Sequence, residues 1–252
     1  MTIIAFTSVR GGPGATTTAL ACAALASERG DAVFVEADPT GGVLLGRCAS
    51  LDGARSLLQL AFPDRDDRGR PATALVEAAC QQLGDLSVVV APANPNQAFE
   101  AVARSRSRWP QMLAELDMTV VVDCGRLFPG TPVTSILRVA DVVVVVASPE
   151  AADVLAYLEW AAGTDASVGA LTPPMLVTVG PGRFGGSHLI RELGASYVGD
   201  VPHETRSVDL LWRGTSTRHR SLSRTSFVRS IGALNESVDR VLRHVERQDR
   251  AS

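Results

Sequence analysis

The stretch Ser8-Val9-Arg10-Gly11-Gly12-Pro13-Gly14-Ala15-Thr16-Thr17-Thr18 decides how this chain is read. It follows an apolar run, Ile3-Ile4-Ala5-Phe6, and opens onto an alanine-rich stretch, Thr17 to Ser27. A strand, a glycine-rich loop and a helix in that order are the context of a phosphate-binding P-loop. Backbone N–H groups of such a loop, and the N-terminus of the helix behind it, attract phosphate oxygens. The lysine that such loops aim at the outer phosphates is replaced here by Ala15. The chain has no lysine at all, its 24 basic residues being Arg. General drift from Lys to Arg explains the surface, but drift keeps the charge and Ala15 discards it. Loss of one preorganised donor to a transferring phosphoryl group costs ~10²–10³ in rate. The loop is therefore expected to hold a phosphorylated ligand and to cleave it slowly or not at all.

Outward from the loop, apolar runs recur at Ala32–Glu36, Leu86–Ala91, Thr119–Asp123, Val142–Ala147, Met175–Val179 and Ser196–Val198. Unbroken valine at 120–122 and 142–146 predicts strands covered on both faces. Helical patterns lie between them, at Thr17–Arg29, Ala54–Leu60, Thr73–Leu83, Ala98–Leu116, Pro132–Val139, Ala151–Ala162, His188–Leu193 and Ser226–Arg247. This alternation predicts an α/β fold: a doubly wound, mostly parallel sheet with helices on both faces. Residues 1–252 are expected to form one domain, and ligands to sit beyond the carboxyl ends of the strands.

Cys22, Cys48, Cys80 and Cys124 are widely spaced, which argues against a metal cluster or disulfide framework and for a reducing cytosol. Met1 leads straight into a strand, so no signal peptide is expected. No apolar run reaches the ~18 residues of a membrane span. The net charge of −3 is unevenly distributed: from Arg183 onward there are 12 Arg against 8 acids.

Acids fall at the ends of strands, where such a site is assembled. Glu36 and Asp38 stand at the mouth of the second strand, with Gly41 and Gly42 after them. Asp123 ends the all-valine strand, as expected of a carboxylate that holds Mg²⁺, and Thr16 supplies a hydroxyl for direct metal ligation.

Taken together, Arg10 to Thr17, Glu36-Ala37-Asp38-Pro39, Asp123, Ala140-Asp141 before a valine strand, and Val201-Pro202-His203-Glu204 resemble the ParA/MinD family of deviant-Walker P-loop ATPases, its CpaE/TadZ-like branch included. The resemblance runs from Ile3 to about Arg220. It implies nucleotide binding by Arg10, Gly11, Gly12, Pro13, Gly14, Ala15, Thr16 and Thr17, with Arg10 at the place of a signature lysine that reaches across an ATP-sandwiched dimer. It implies a water-positioning, catalytic role for Asp38 and Mg²⁺ ligation by Thr16 and Asp123. ATP or ADP with Mg²⁺ is the implied cofactor; with the lysine lost, no cofactor is the other expectation. The family's adenine-reading Asn has no counterpart, since Thr178 stands there, followed by the glycine-rich stretch 180–186. The expected function is a hydrolysis-deficient nucleotide-binding scaffold for intracellular positioning: chromosome or plasmid partition, septum placement, or polar pilus or secretion assembly. A homodimer, a protein partner from one of those systems and a cytoplasmic location are implied with it.

Residues 206–229 carry Arg206, Arg213, Arg218, Arg220, Arg224 and Arg229 against Asp209 alone. Such a patch suits the phosphates of DNA without sequence reading, an acidic partner or anionic lipid, and with it a nucleoid- or membrane-associated location through partners. The plain alternative is a solvated loop. Two other functions stay open: an active but slow ATPase in which Arg10 replaces the missing lysine, and a dinucleotide-binding oxidoreductase with Glu36, 22 residues past Gly14, as the ribose-binding acid.

Overall fold

The computed structural model describes residues 2–11, 14–63, 69–163 and 173–249. In chain order its strands are β1 (Thr2–Ser8), β2 (Ala32–Glu36), β3 (Gln81–Leu83), β4 (Leu86–Val89), β5 (Thr119–Arg126), β6 (Val142–Ala147), β7 (Met175–Val179) and β8 (Tyr197–Val201). They form one eight-stranded sheet in the order β3-β4-β2-β5-β1-β6-β7-β8. Every neighbouring pair is parallel except β3 and β4. The doubly wound α/β sheet expected from the valine runs is thus present. The one antiparallel strand was assigned by periodicity to the end of a helix.

The helices are α1 (Ala15–Ser27), α2 (Leu44–Arg47), α3 (Leu57–Ala61), α4 (Ala72–Ala79), α5 (Pro95–Ser105), α6 (Trp109–Ala114), α7 (Thr134–Val139), α8 (Ala151–Gly163), α9 (Gly186–Leu193), α10 (Thr205–Trp212) and α11 (Ser226–Asp249). On one face of the sheet, α1, α10 and α11 pack with Phe6, Phe34, Val121, Val144 and Val177. On the other, Ala5, Val33, Val120, Val122 and Val143 meet the helices between α3 and α7, with Trp109 almost fully buried among them. The small side chains Ala19, Ala21, Cys22 and Ala23 let α1 lie close on the central strands.

Several joints fix the register around β1. Asp141 accepts a hydrogen bond from the Ile3 N–H (2.7 Å) and returns its own N–H to the Ile3 carbonyl (2.9 Å), which ties β1 to the start of β6. The single long helix expected at Ala98–Leu116 is two. Asn94 caps the first through Asn96 N (2.9 Å), and Pro110 starts the second, since proline has no N–H to continue the ladder. Helix α10 was not expected at all; Glu204 joins its start to that of α11, accepting from Ser207 Oγ (2.7 Å), Phe227 N (3.2 Å) and Ser226 Oγ. Those bonds, the Ser226 hydroxyl foremost, hold the Glu204 carboxyl below its usual pKa.

Candidate functional site

Strand β1 lies between β5 and β6, and its successor β2 lies on the far side of β5. The connections therefore diverge at the carboxyl end of β1, where open α/β sheets bind ligands. The glycine loop leaves β1 at that point. Gly11 (φ 79°) and Gly14 (φ 85°) are both left-handed, a conformation that costs an L-residue roughly 1–2 kcal/mol. Gly14 precedes Ala15 as the helix cap and offers no side-chain oxygen, so among the described residues no side chain caps the first-turn N–H groups of α1. Behind Gly14 stands Val179; a Cβ on the glycine would lie 3.2 Å from its Cγ1. Ala15 is 8% exposed, and Thr16 and Thr17 are half-buried. The assignments to Gly12 and Pro13 lie outside the described residues.

Asp123 is fully buried on β5, level with Glu36 of β2 and Phe6 of β1. Its Oδ1 accepts from the Gly125 N–H at 3.0 Å. Its Oδ2 has no hydrogen-bond partner among the described residues. Burial above all pushes this carboxyl up to about 6; the Thr16 hydroxyl opposes the rise, the nearby Asp38 carboxylate adds to it and the Gly125 N–H opposes it. An orphaned buried carboxylate oxygen beside a threonine hydroxyl and a second acid is the donor set a hard cation takes.

Asp38 reaches this spot because Gly125 has no side chain. A Cβ on Gly125 would overlap the Cγ and both oxygens of Asp38, and its φ of 61° already disfavours one. Asp38 Oδ1 accepts from the N–H and the hydroxyl of Thr40, both at 2.7 Å, which fixes its rotamer.

Glu36 does a different job from Asp38. It is 1% exposed, and its oxygens accept from Val43 N (2.6 Å), Leu44 N (3.1 Å) and Ala91 N (3.0 Å). It joins the end of β2 to the start of α2 and to the segment after β4. Burial pushes its pKa up to about 7, the three N–H donors oppose that, and Asp123 contributes to the rise. Gly42 is packed so closely on this carboxylate and on the Ala91 carbonyl that no side chain fits. The acid required by the oxidoreductase alternative is thus occupied by backbone N–H groups rather than open to a ribose.

Arg10 turns toward α8 and not into the loop. Its Nε lies 3.3 Å from Asp153 Oδ1, and Asp153 also accepts from Ser148, through the hydroxyl and the N–H (3.4 Å). The other side of the loop carries a cation that sequence reasoning missed: Arg126, exposed at the end of β5, runs its stem past Gly11, with Cδ 3.4 Å from where a Cβ on Gly11 would be. No motif marks it; only the register of β5 against β1 brings it there. Thr178 is buried and its hydroxyl shares a 2.9 Å hydrogen bond with the Tyr197 hydroxyl. The glycine-rich stretch after β7 folds back on the β6–α8 connection, where Phe184 N donates to the Pro149 carbonyl at 3.0 Å.

In the basic segment Arg206, Arg213, Arg220 and Arg224 are exposed and form no ion pair with a carboxylate among the described residues. Arg218 is committed instead to Glu28 at the end of α1 (3.3 Å), whose carboxylate also accepts from Thr217 Oγ1 and Arg218 N (3.0 Å). No helix among the described residues is long and apolar enough to cross a membrane.

No protein-family model and no curated protein matches this sequence. Solved structures do match in shape. The cell division ATPase MinD of Pyrococcus furiosus superposes with a TM-score of 0.73 at 16% identity, over 95% of this chain and 99% of that one. MinD of Pyrococcus horikoshii, solved with Mg-ADP, gives 0.72 at 15% identity, over 96% and 97%. A ParA family ATPase of Chlorobium tepidum TLS gives 0.72 at 14% identity, over 94% and 97%. The chain has the fold that ParA family ATPases and MinD share.

Proposed function

We propose that this chain is a ParA/MinD-like protein that binds a magnesium nucleotide, ATP or ADP, and hydrolyses it very poorly, so that occupancy serves as a switch or scaffold in intracellular positioning. The observation that carries this reading is the pairing of left-handed glycines at the two described ends of the loop with a missing lever. Gly11 and Gly14 keep the backbone open, while the position that supplies the outer-phosphate charge is Ala15, 8% exposed. Phosphoryl transfer in such loops relies almost entirely on positioning and charge stabilisation. Without the lysine the cradle retains affinity and loses most of its rate.

The residues present fit a nucleotide with its metal. The open N–H groups of the first turn of α1 would receive phosphate oxygens. Thr16 and the unpartnered Asp123 Oδ2 would hold Mg²⁺, which supplies the positive charge between phosphates. Asp38, fixed by Thr40, would orient a water or sense the outer phosphate. Arg10 is held by Asp153, which argues against its replacing the lysine within one chain, although that ion pair is 59% exposed on the arginine side and open to exchange.

The homodimer and the positioning role extend the same reading. MinD of Aquifex aeolicus has been solved in complex with MinC, so a protein partner is in keeping with this fold. Arg206, Arg213, Arg220 and Arg224 would supply a salt-sensitive surface for DNA phosphates or an acidic partner. Calorimetric titration with ATP, ADP and GTP at millimolar concentration with Mg²⁺ tests the core of the proposal. Heat saturating at one site is expected; no heat with any of the three refutes it.

A further inference from the structure

We propose that Arg126 is the cation of the phosphate loop, meeting the ligand's outer phosphates in place of the side chain that Ala15 lacks. This rests on the nucleotide reading above and names a binding residue that the motif does not contain. The loop's own arginine, Arg10, is engaged by Asp153 at 3.3 Å. Arg126 has no hydrogen-bond or ion-pair partner among the described residues, and it is exposed.

The local backbone explains why it stands there. Strands β1 and β5 pair Phe6 with Asp123, but Ser8 with Arg126, so β5 carries one extra residue over that interval. Bulges of this kind re-aim the side chain that follows and occur beside active sites. Gly125 takes the left-handed turn that the bulge needs (φ 61°). The bulge is secured on both sides: Thr7 Oγ1 donates to the Gly125 carbonyl at 2.9 Å, and Leu127 N donates to the Ser8 carbonyl at 2.8 Å. The Arg126 stem is thereby laid along Gly11, at the start of the loop.

A second observation points independently to a ligand at this place. Three residues earlier on the same strand, Asp123 Oδ2 is buried and has no hydrogen-bond partner among the described residues. A magnesium polyphosphate satisfies both ends of the arrangement: the metal answers the orphaned carboxylate oxygen, and the anionic oxygens answer the guanidinium. Arginine meets a phosphate through two parallel N–H bonds and stays charged at any working pH.

The test uses the full chain and its Arg126→Ala, Arg126→Lys and Arg138→Ala variants, the last removing an exposed arginine at the end of α7. Each is titrated calorimetrically with Mg-ATP and Mg-AMP, and folding is checked by its thermal transition. Arg126→Ala is expected to weaken Mg-ATP by about 10- to 100-fold, the range for a hydrogen bond to a charged group. Arg126→Lys should fall between it and the wild type, and Mg-AMP should be affected far less. Arg138→Ala should bind as the wild type does. Wild-type binding that is unchanged in Arg126→Ala, or weakened equally for AMP and ATP, overturns this inference and leaves the nucleotide reading standing. A wild type that binds neither nucleotide overturns both.

Discussion

Placing a methyl group on Gly125 tests whether the acidic corner of the site is built as described. The cost has two separable parts. The first is backbone: Gly125 has φ 61°, and an alanine there is strained by about 1–2 kcal/mol. The second is collision. The new Cβ would overlap Asp38, so the carboxylate must swing out and give up its two 2.7 Å bonds to Thr40. Bonds to a charged acceptor contribute roughly 1.5–3 kcal/mol; since these are exposed, about 1–2 kcal/mol in total is the discounted figure. Gly130 isolates the first part, because its φ is 79° and nothing lies within 4 Å of a Cβ built on it. Gly125→Ala should therefore unfold about 2–8 °C lower than Gly130→Ala, at roughly 2–4 °C per kcal/mol for a chain of this size. In the double variant Gly125→Ala with Asp38→Ala the collision is gone, and part of that loss should return as a coupling energy. Circular dichroism melts of the wild type, the two glycine variants, Asp38→Ala and the double variant decide the matter. Equal transitions for the two glycine variants, with strictly additive effects in the double, would refute the packing of Asp38 on Gly125.

Restoring the lever should restore the engine: Ala15→Lys is expected to raise magnesium-dependent phosphate release by about 10²–10³-fold, and unchanged release would place the defect elsewhere. Affinity should depend strongly on the metal, because of the two described cations at the loop Arg10 is paired with Asp153 and Arg126 alone is left for the phosphates; chelating Mg²⁺ is expected to weaken ATP binding by about tenfold or more, and metal-independent affinity contradicts this. The ligand-free protein should lose stability as pH rises. Glu36 and Asp123 have folded-state pKa values of about 7 and about 6, above their ordinary 4.5 and 3.8. The folded state therefore holds more protons than the unfolded chain between about pH 4 and 7, so stability is highest below that window and falls through it. For Glu36 the drop is on the order of 3 kcal/mol. Melts in chelator at pH 5 and 8 should show it, and Glu36→Gln should flatten the upper part; a transition temperature that climbs over this range would sink the assignment.

Much of the fold could be read directly from the chain, for a physical reason. Central parallel strands are buried on both faces, so Val142–Ala147 and Met175–Val179 are nearly continuous apolar runs, and both strands have the bounds read from sequence. Short edge elements carry no such signature. Gln81–Leu83 is three residues long with only Leu83 buried, and it followed a helical pattern without a break. Helix α10 has a weak signature because it is only eight residues long and lies in an arginine-rich segment, with Arg206 exposed; only the buried Ser207, Leu211 and Trp212 mark its inner face. In the candidate site, the placement of Gly14, Ala15, Thr16 and Asp123 at the carboxyl ends of β1 and β5 was legible because a motif fixes them relative to the backbone. The committed state of Arg10, the backbone-capping duty of Glu36 and the approach of Arg126 were not. Each depends on contacts across the sheet, between residues such as Arg10 and Asp153 or Gly11 and Arg126, that are far apart in the chain and joined only by register.

A nucleotide cradle that has lost its catalytic charge should bind ATP without turning it over. Phosphate release from saturating Mg-ATP by the purified wild-type chain, set beside Asp38→Ala prepared identically, tests it most directly. The two traces should coincide at background. Rapid magnesium-dependent release by the wild type that disappears in Asp38→Ala would contradict it.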